Sequence, residues 1–451
     1  MLKLPLTSSS LALLLVFVST GCQWRSRANC PSPSESGIYG RDLIDPAAQH
    51  ELDELMRLKA MEERALKIRD SMQKAAPQGR PQRNVLCLSG GGSLGAYSAG
   101  VICGWTERGD RPVFDVVTGI STGALIAPFA FLGPKYDPEI KRFYTTLSND
   151  DLFEKHLIRG LLGESLTDNA PLGRQIDQSL TPEFIAELAA AHAEGRRLYI
   201  GTTAAEEKRF VVWDMGAIAS RNGAGDRELL KQIMLGSAAI PGFFPPSKID
   251  VYVDGKCYTE KHVDGGVSQG IFFHPPYTSQ QLWNDPSAMN LAGTKVWAIV
   301  AGKLYADPEV IKPRSLSFAA KNISTVIYAQ TRGDLQRMYL VSLLNGMDLS
   351  IAAIPAGYPA PRDAANFDPE EMGPLFEEGR RQIRQGTAWR TSPPGTLEAE
   401  GEPIQARAGR CLTFEQRGPI LPIPDARGRT RDSIPYPTSD QGIPAVPPIK
   451  R

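Results

Sequence analysis

Two short apolar runs in this chain each pass through glycines directly into a small-residue helix. This repeated arrangement restricts the fold more than any other feature. The first run, Val85–Leu88, leads into Ser89-Gly90-Gly91-Gly92-Ser93-Leu94-Gly95 and a helical pattern at Ala96–Trp105. The second, Val113–Thr118, leads into Gly119-Ile120-Ser121-Thr122-Gly123 and a helical pattern at Ala124–Leu132. Further strand patterns follow at Leu198–Thr203, Phe210–Trp213, Val251–Val253, Lys295–Ala301 and Leu349–Ile354. They alternate with helical patterns at 136–147, 182–194, 227–238, 314–345 and 368–389. Strands alternating with helices predict an α/β fold with a mainly parallel central sheet.

The glycines limit the chemistry. Gly119-Ile120-Ser121-Thr122-Gly123 has G-x-S-x-G spacing, common by chance, but here it joins an apolar strand to a helix. In that setting the flanking Gly119 and Gly123 permit a tight turn that presents Ser121 above the sheet. The helix N-terminus that follows favours developing negative charge. The Gly90–Gly92 run leaves backbone amides unobstructed, which suits an oxyanion hole or a purely structural turn. No Gly-Lys-Ser/Thr follows it, so a phosphate loop is excluded. An acidic residue is missing where a dinucleotide fold would place one. A third motif, His262-Val263-Asp264-Gly265-Gly266, reads by itself as a turn.

Taken together the three motifs resemble the patatin-like phospholipase family. That family carries a Gly-rich oxyanion loop after its first strand, a G-x-S-x-G elbow about thirty residues later, and a distal Asp-Gly-Gly or Asp-Gly-Ala. Ser237-Ala-Ala-Ile-Pro-Gly-Phe-Phe-Pro-Pro246 also resembles a family segment, and the likeness spans roughly 84–357. The resemblance implies a three-layer α/β/α fold and a Ser121–Asp264 dyad without a catalytic His. It implies oxyanion donors among Gly90, Gly91, Gly92 and Ser93, with Gly95, Gly119, Gly123, Gly265 and Gly266 supporting the motifs. No cofactor or metal is implied. The expected activity is a serine esterase of lipid or phospholipid acyl esters. The alternative is a catalytically weak or inactive patatin-fold lipoprotein that binds lipid or assists envelope assembly.

Two residues depart from the family pattern. Leu94 stands where members commonly have Arg or Lys, which bears on phospholipid preference. The segment Ser268–Pro276 lacks the Asn-containing pattern often found after the Asp. The histidines number five; for a Ser…Asp…His triad, His262 precedes Asp264 and His274 follows it too closely for an ordinary layout. His192 is expected to face solvent, and Cys87 to be a buried apolar residue.

The flanks read as an address and a tether. Residues 1–21 have Lys3, an apolar stretch from Leu11 to Val18, and Ser19-Thr20-Gly21 before Cys22. This resembles a bacterial lipoprotein signal, with Cys22 as the lipidated mature N-terminus, although Ser19 replaces the usual Leu. Gln23 in place of Asp favours the outer membrane of a Gram-negative envelope. The expected plan is a signal at 1–21, a tether and amphipathic helix at 22–83, a hydrolase domain at 84–357, a helical extension at 358–390 and a Pro/Gly-rich tail at 391–451. Contact with another envelope protein is expected to use 46–75 or the tail, if any part. The 50 basic and 50 acidic residues balance, which argues against nucleic-acid binding and for attachment by acyl chains rather than by charge.

Overall fold

The computed structural model describes residues 60–61, 63–74, 82–155, 165, 167–276, 290–304, 315–361 and 363–393. The signal, Cys22, the tether, residues 46–59 of the amphipathic helix and nearly all of the tail lie outside the described residues.

The strands are β1 (Asn84–Leu88), β2 (Val116–Ile120), β3 (Glu154–Lys155), β4 (Thr167–Asp168), β5 (Arg197–Ala204), β6 (Arg209–Asp214), β7 (Ser247–Val253), β8 (Lys256–Asp264), β9 (Lys295–Lys303) and β10 (Asp348–Ile354). The helices are α1 (Gly95–Arg108), α2 (Thr122–Leu132), α3 (Asp137–Thr145), α4 (Asn149–Leu152), α5 (Ala170–Ser179), α6 (Pro182–Ala193), α7 (Met215–Arg221), α8 (Asp226–Ser237), α9 (Ser315–Leu344) and α10 (Pro369–Gln385). Eight strands form one sheet, in the order β10-β9-β1-β2-β5-β8-β7, with β6 also paired to β5. The pairings from β10 to β5 are parallel. Those of β6, β7 and β8 are antiparallel.

Alternation along β1 makes the layers. Leu86 and Leu88 join a core under α1, α2, α8 and α10, while Val85 and Cys87 join a second core with Leu335, Met338 and Leu343 of α9. Each fully buried aliphatic side chain contributes roughly 1.5–3 kcal/mol, so both faces need covering. The result is the α/β/α arrangement with a mainly parallel sheet. Burial in the second core pushes the Cys87 thiol up to about 12, consistent with a small buried apolar residue.

Several elements differ from the sequence expectation. Strand β2 begins at Val116, and Val113 is 73% exposed. The Asp115 carboxylate accepts the Asn84 amide at 2.7 Å, so a side chain closes the ladder there. Helices α5 and α7 and strand β8 were not expected. The polar β8 forms a hairpin with β7 through Asp254 (φ 50°) and Gly255 (φ 76°), a turn with both residues in the left-handed region. The helix at 60–74 docks on the sheet's second face: Ala65 is buried, and Gln73 donates to the Gly346 carbonyl at 3.2 Å. Helix α10 crosses α1 closely, because a Cβ at Gly100 or Gly104 would collide with the α10 backbone, and one at Gly379 with the Tyr97 carbonyl.

Candidate active site

The site is assembled along one edge of β5. Tyr199 pairs with Thr118 of β2 and with Asp214 of β6, so β2 and β6 occupy opposite edges. Thr202 pairs with Val211 of β6 and with Asp264 of β8, so β8 shares the β2 edge. Along that edge Ile120 of β2 lies opposite Gly201, and Asp264 of β8 lies opposite the next residue, Thr202. Strand β2 runs parallel to β5 and ends where the antiparallel β8 ends. Residues 143 positions apart in the chain, Ser121 and Asp264, therefore meet at the junction.

Ser121 sits in a sharp turn with φ 54° and ψ −124°. A non-glycine residue in such a conformation costs on the order of 1–3 kcal/mol and persists only where its surroundings hold it. Those surroundings are close-packed glycines: a Cβ at Gly119 would meet the Gly123 carbonyl, and one at Gly123 would meet the Leu88 carbonyl. The Tyr144 hydroxyl hydrogen-bonds the Thr122 hydroxyl and donates to the Thr122 carbonyl at 3.1 Å, bracing the first turn of α2.

The Ser121 hydroxyl lies near enough to the Asp264 carboxylate to favour its ionised form. Asp264 Oδ1 also accepts the Gly266 amide at 2.7 Å. Its own amide donates to the Ala239 carbonyl at 2.8 Å, and its carbonyl accepts from Thr203 Oγ1 at 3.1 Å. Gly265 is required for packing, since a Cβ there would press on the Gly201 carbonyl. Both Ser121 and Asp264 are only 6% exposed. Burial raises the Asp264 carboxyl to about 6, against the lowering effect of the nearby Ser121 hydroxyl and the Gly266 amide. No histidine joins this pair among the described residues. His262 Nδ1 and Nε2 lie 2.9 Å from Thr202 Oγ1 and 3.2 Å from Glu260, and His274 Nδ1 lies 3.0 Å from the Pro275 carbonyl. His192, expected at the surface, is half-buried against Gly216 of α7.

The Gly-rich loop lies against the elbow: a Cβ on Gly90 would stand 3.1 Å from that of Ser121. Of the four amides expected as oxyanion donors, two already have backbone partners. The Gly90 amide donates to the Gly270 carbonyl at 3.1 Å and the Ser93 amide to the Ala364 carbonyl at 2.9 Å, so neither is free to meet an oxyanion. The Gly91 and Gly92 amides have no partner among the described residues. A side chain at Gly91 would collide with the Ala301 carbonyl, and one at Gly92 (φ 55°) with the Ala364 carbonyl. Leu94, in place of a basic residue, packs on the first core. Among the described residues no group of acidic, His and Cys side chains is arranged to hold a metal.

Residues 86–277 match the family model of the patatin-like phospholipases. This segment is a patatin-like phospholipase domain. The match spans 192 of the 451 residues and supports lipid acyl hydrolase chemistry in general. A solved structure, VipD from Legionella pneumophila, is similar at 12% identity with a TM-score of 0.33, over 70% of this chain and 68% of that one. No curated protein matches.

Several residues that hold the patatin-like site were not anticipated, and some lie beyond the matched segment. Asp334 of α9 is buried, and its Oδ2 accepts the Gly270 amide at 2.8 Å. Gly270 in turn fixes Gly90. Ala364 supplies the carbonyl that takes the Ser93 amide. Ser237 contacts the Ser121 backbone. The hydroxyl of Ser237 had a sequence cue in the family-like segment, whereas the carbonyl of Ala364 had none.

Gly92→Ala is expected to lower kcat for a soluble ester by about 10²–10³-fold, by displacing a donor amide. Steady-state kinetics on p-nitrophenyl butyrate check this; a kcat unchanged from wild type would remove Gly92 from the donor set.

Proposed function

We propose that the chain is a membrane-anchored serine hydrolase that cleaves ester-linked acyl chains from lipids with a Ser121–Asp264 dyad. The contact between the Ser121 hydroxyl and a buried carboxylate raised to about 6 carries this reading. An ordinary Asp, with a pKa near ~3.9, is a weak base at neutral pH. At about 6 it is a stronger base and still mostly ionised at pH 7.5.

The steps follow from these groups. Ser121 Oγ attacks the ester carbonyl carbon as its proton passes to Asp264. The carbonyl oxygen becomes an oxyanion, held by the Gly91 and Gly92 amides. The carbon–oxygen bond to the alcohol then breaks, and the departing oxygen takes the proton from Asp264. Water attacks the acyl-Ser121 ester, giving its proton to Asp264, and the fatty acid leaves as Ser121 recovers a proton. Exclusion of water strengthens each of these contacts.

The anchor in this proposal is an acylated Cys22, placing the protein on the outer membrane of a Gram-negative envelope. Two or more acyl chains hold a protein stably on a bilayer, each buried methylene contributing about 0.8 kcal/mol. Cys22→Ala is expected to move the protein from the detergent phase of a Triton X-114 partition to the aqueous phase. Retention in the detergent phase would reject lipidation at this residue.

The activity is tested by incubating purified protein with phosphatidylcholine–detergent micelles and measuring released fatty acid. Release by wild type and none by Ser121→Ala is expected. Lipid binding without release would favour a binding role.

A further inference from the structure

The two members of the dyad come from distant parts of the chain, yet one short segment at the end of α8 grips both. Ser237, the last residue of α8, is fully buried. Its Oγ accepts the Ser121 amide proton at 3.0 Å and donates to the Gly201 carbonyl at 2.6 Å. Two residues further on, the Ala239 carbonyl accepts the Asp264 amide at 2.8 Å. Gly201 is the β5 residue opposite Ile120, and its neighbour Thr202 is the one opposite Asp264. The hydroxyl therefore bridges the chain leaving β2 to the strand that carries β8.

The bridge needs a group that accepts from one backbone and donates to another within a fully packed space. A hydroxyl does both, and a methyl does neither. The Ser121 amide belongs to the residue at φ 54°, so this hydrogen bond acts on the strained position itself. We propose that Ser237 is a positioning residue for ester hydrolysis: it seats the Ser121 elbow against β5 and so fixes the Ser121 hydroxyl relative to the Asp264 carboxylate. This inference rests on Ser121 acting as the nucleophile.

Ser237→Ala leaves the Ser121 amide and the Gly201 carbonyl without this partner. A displacement of the nucleophile by a fraction of an ångström acts on the rate more than on substrate binding. The expected result on p-nitrophenyl butyrate is a kcat about 10²-fold lower with KM little changed. Ser237→Thr keeps the hydroxyl and is expected to recover most of the rate. Ser98→Ala serves as the comparison, since Ser98 Oγ is a buried hydroxyl of α1 with no partner among the described residues. It is expected to keep the wild-type kcat. An unchanged kcat in Ser237→Ala, or an equal loss in Ser98→Ala, overturns the proposal. Should Ser237→Ala not fold, Ser237→Cys takes its place, with an intermediate kcat at unchanged KM expected and a wild-type kcat overturning it.

Absence of turnover in the wild type would reject the nucleophile reading without deciding the brace. Hydrogen exchange of the Ser121 amide decides it separately: exchange at least about tenfold faster in the Ser237 variant is expected. Equal exchange overturns the bridge.

Discussion

Ser121→Ala is expected to lower ester turnover by at least about 10⁴-fold and to abolish labelling by a fluorophosphonate probe. The reason is chemical: Ala offers no oxygen to attack the ester carbonyl, while the rest of the pocket, the Gly91 and Gly92 amides included, is left in place. KM is therefore expected to change much less than kcat. The same position yields a stability outcome. Ser121 holds φ 54°, a region open to glycine without a Cβ penalty. Ser121→Gly is expected to be inactive yet more stable than Ser121→Ala, by about 1 kcal/mol. Chemical denaturation measures the difference. Labelling of Ser121→Ala at the wild-type rate would remove Ser121 from the nucleophile role, and an Ala variant as stable as the Gly variant would show that the turn carries no strain.

The part of this site readable in the sequence is the local part. A G-x-S-x-G between an apolar run and a helix already contains its elbow, because Gly119 and Gly123 act on their immediate neighbours. The order of the three motifs similarly carried the resemblance to the family, and the alternation of strand and helix patterns carried the parallel sheet. What escaped depends on contacts between remote segments. Ser237 lies 116 positions from Ser121, and only the folded β5 edge brings its hydroxyl to that amide. Four adjacent residues of the Gly-rich loop look alike as donors until Gly270 and Ala364 occupy two of the amides. Strand β8 was missed because seven of its nine residues are exposed or half-buried, so it lacks an apolar run. Its Asp254-Gly255 turn was a usable hairpin cue. The Asp264 motif read as a turn because its strand was not seen, although the strand is what delivers the carboxylate to Ser121.

Asp264→Asn is expected to reduce kcat/KM by about 10⁴-fold at pH 7.5, since the amide cannot take the Ser121 proton. In the wild type, kcat/KM is expected to rise tenfold per pH unit below about 6 and level off above it, following ionisation of a carboxyl held at about 6. The same shift gives stability a sign opposite to that of an ordinary salt-bridged carboxylate. The folded-state pKa lies above the unfolded value of 3.8. The folded protein therefore binds this proton more tightly than the unfolded chain. Asp264 contributes stability below pH 4, and that contribution is lost as pH rises through about 6. A shift of this size corresponds to about 3 kcal/mol, with burial as its largest cause. Asn stays uncharged at every pH and can still accept the Gly266 amide. Asp264→Asn is accordingly expected to gain stability over wild type between pH 4 and 8, with most of the gain appearing by pH 7. Urea unfolding of both proteins across that range measures it. A stability difference independent of pH would mean that Asp264 titrates as an ordinary carboxylate. Activity would then have to rest on a weaker base than this buried one. A gain in stability together with loss of turnover would instead show that burying the Asp264 charge destabilises the fold and supplies the base.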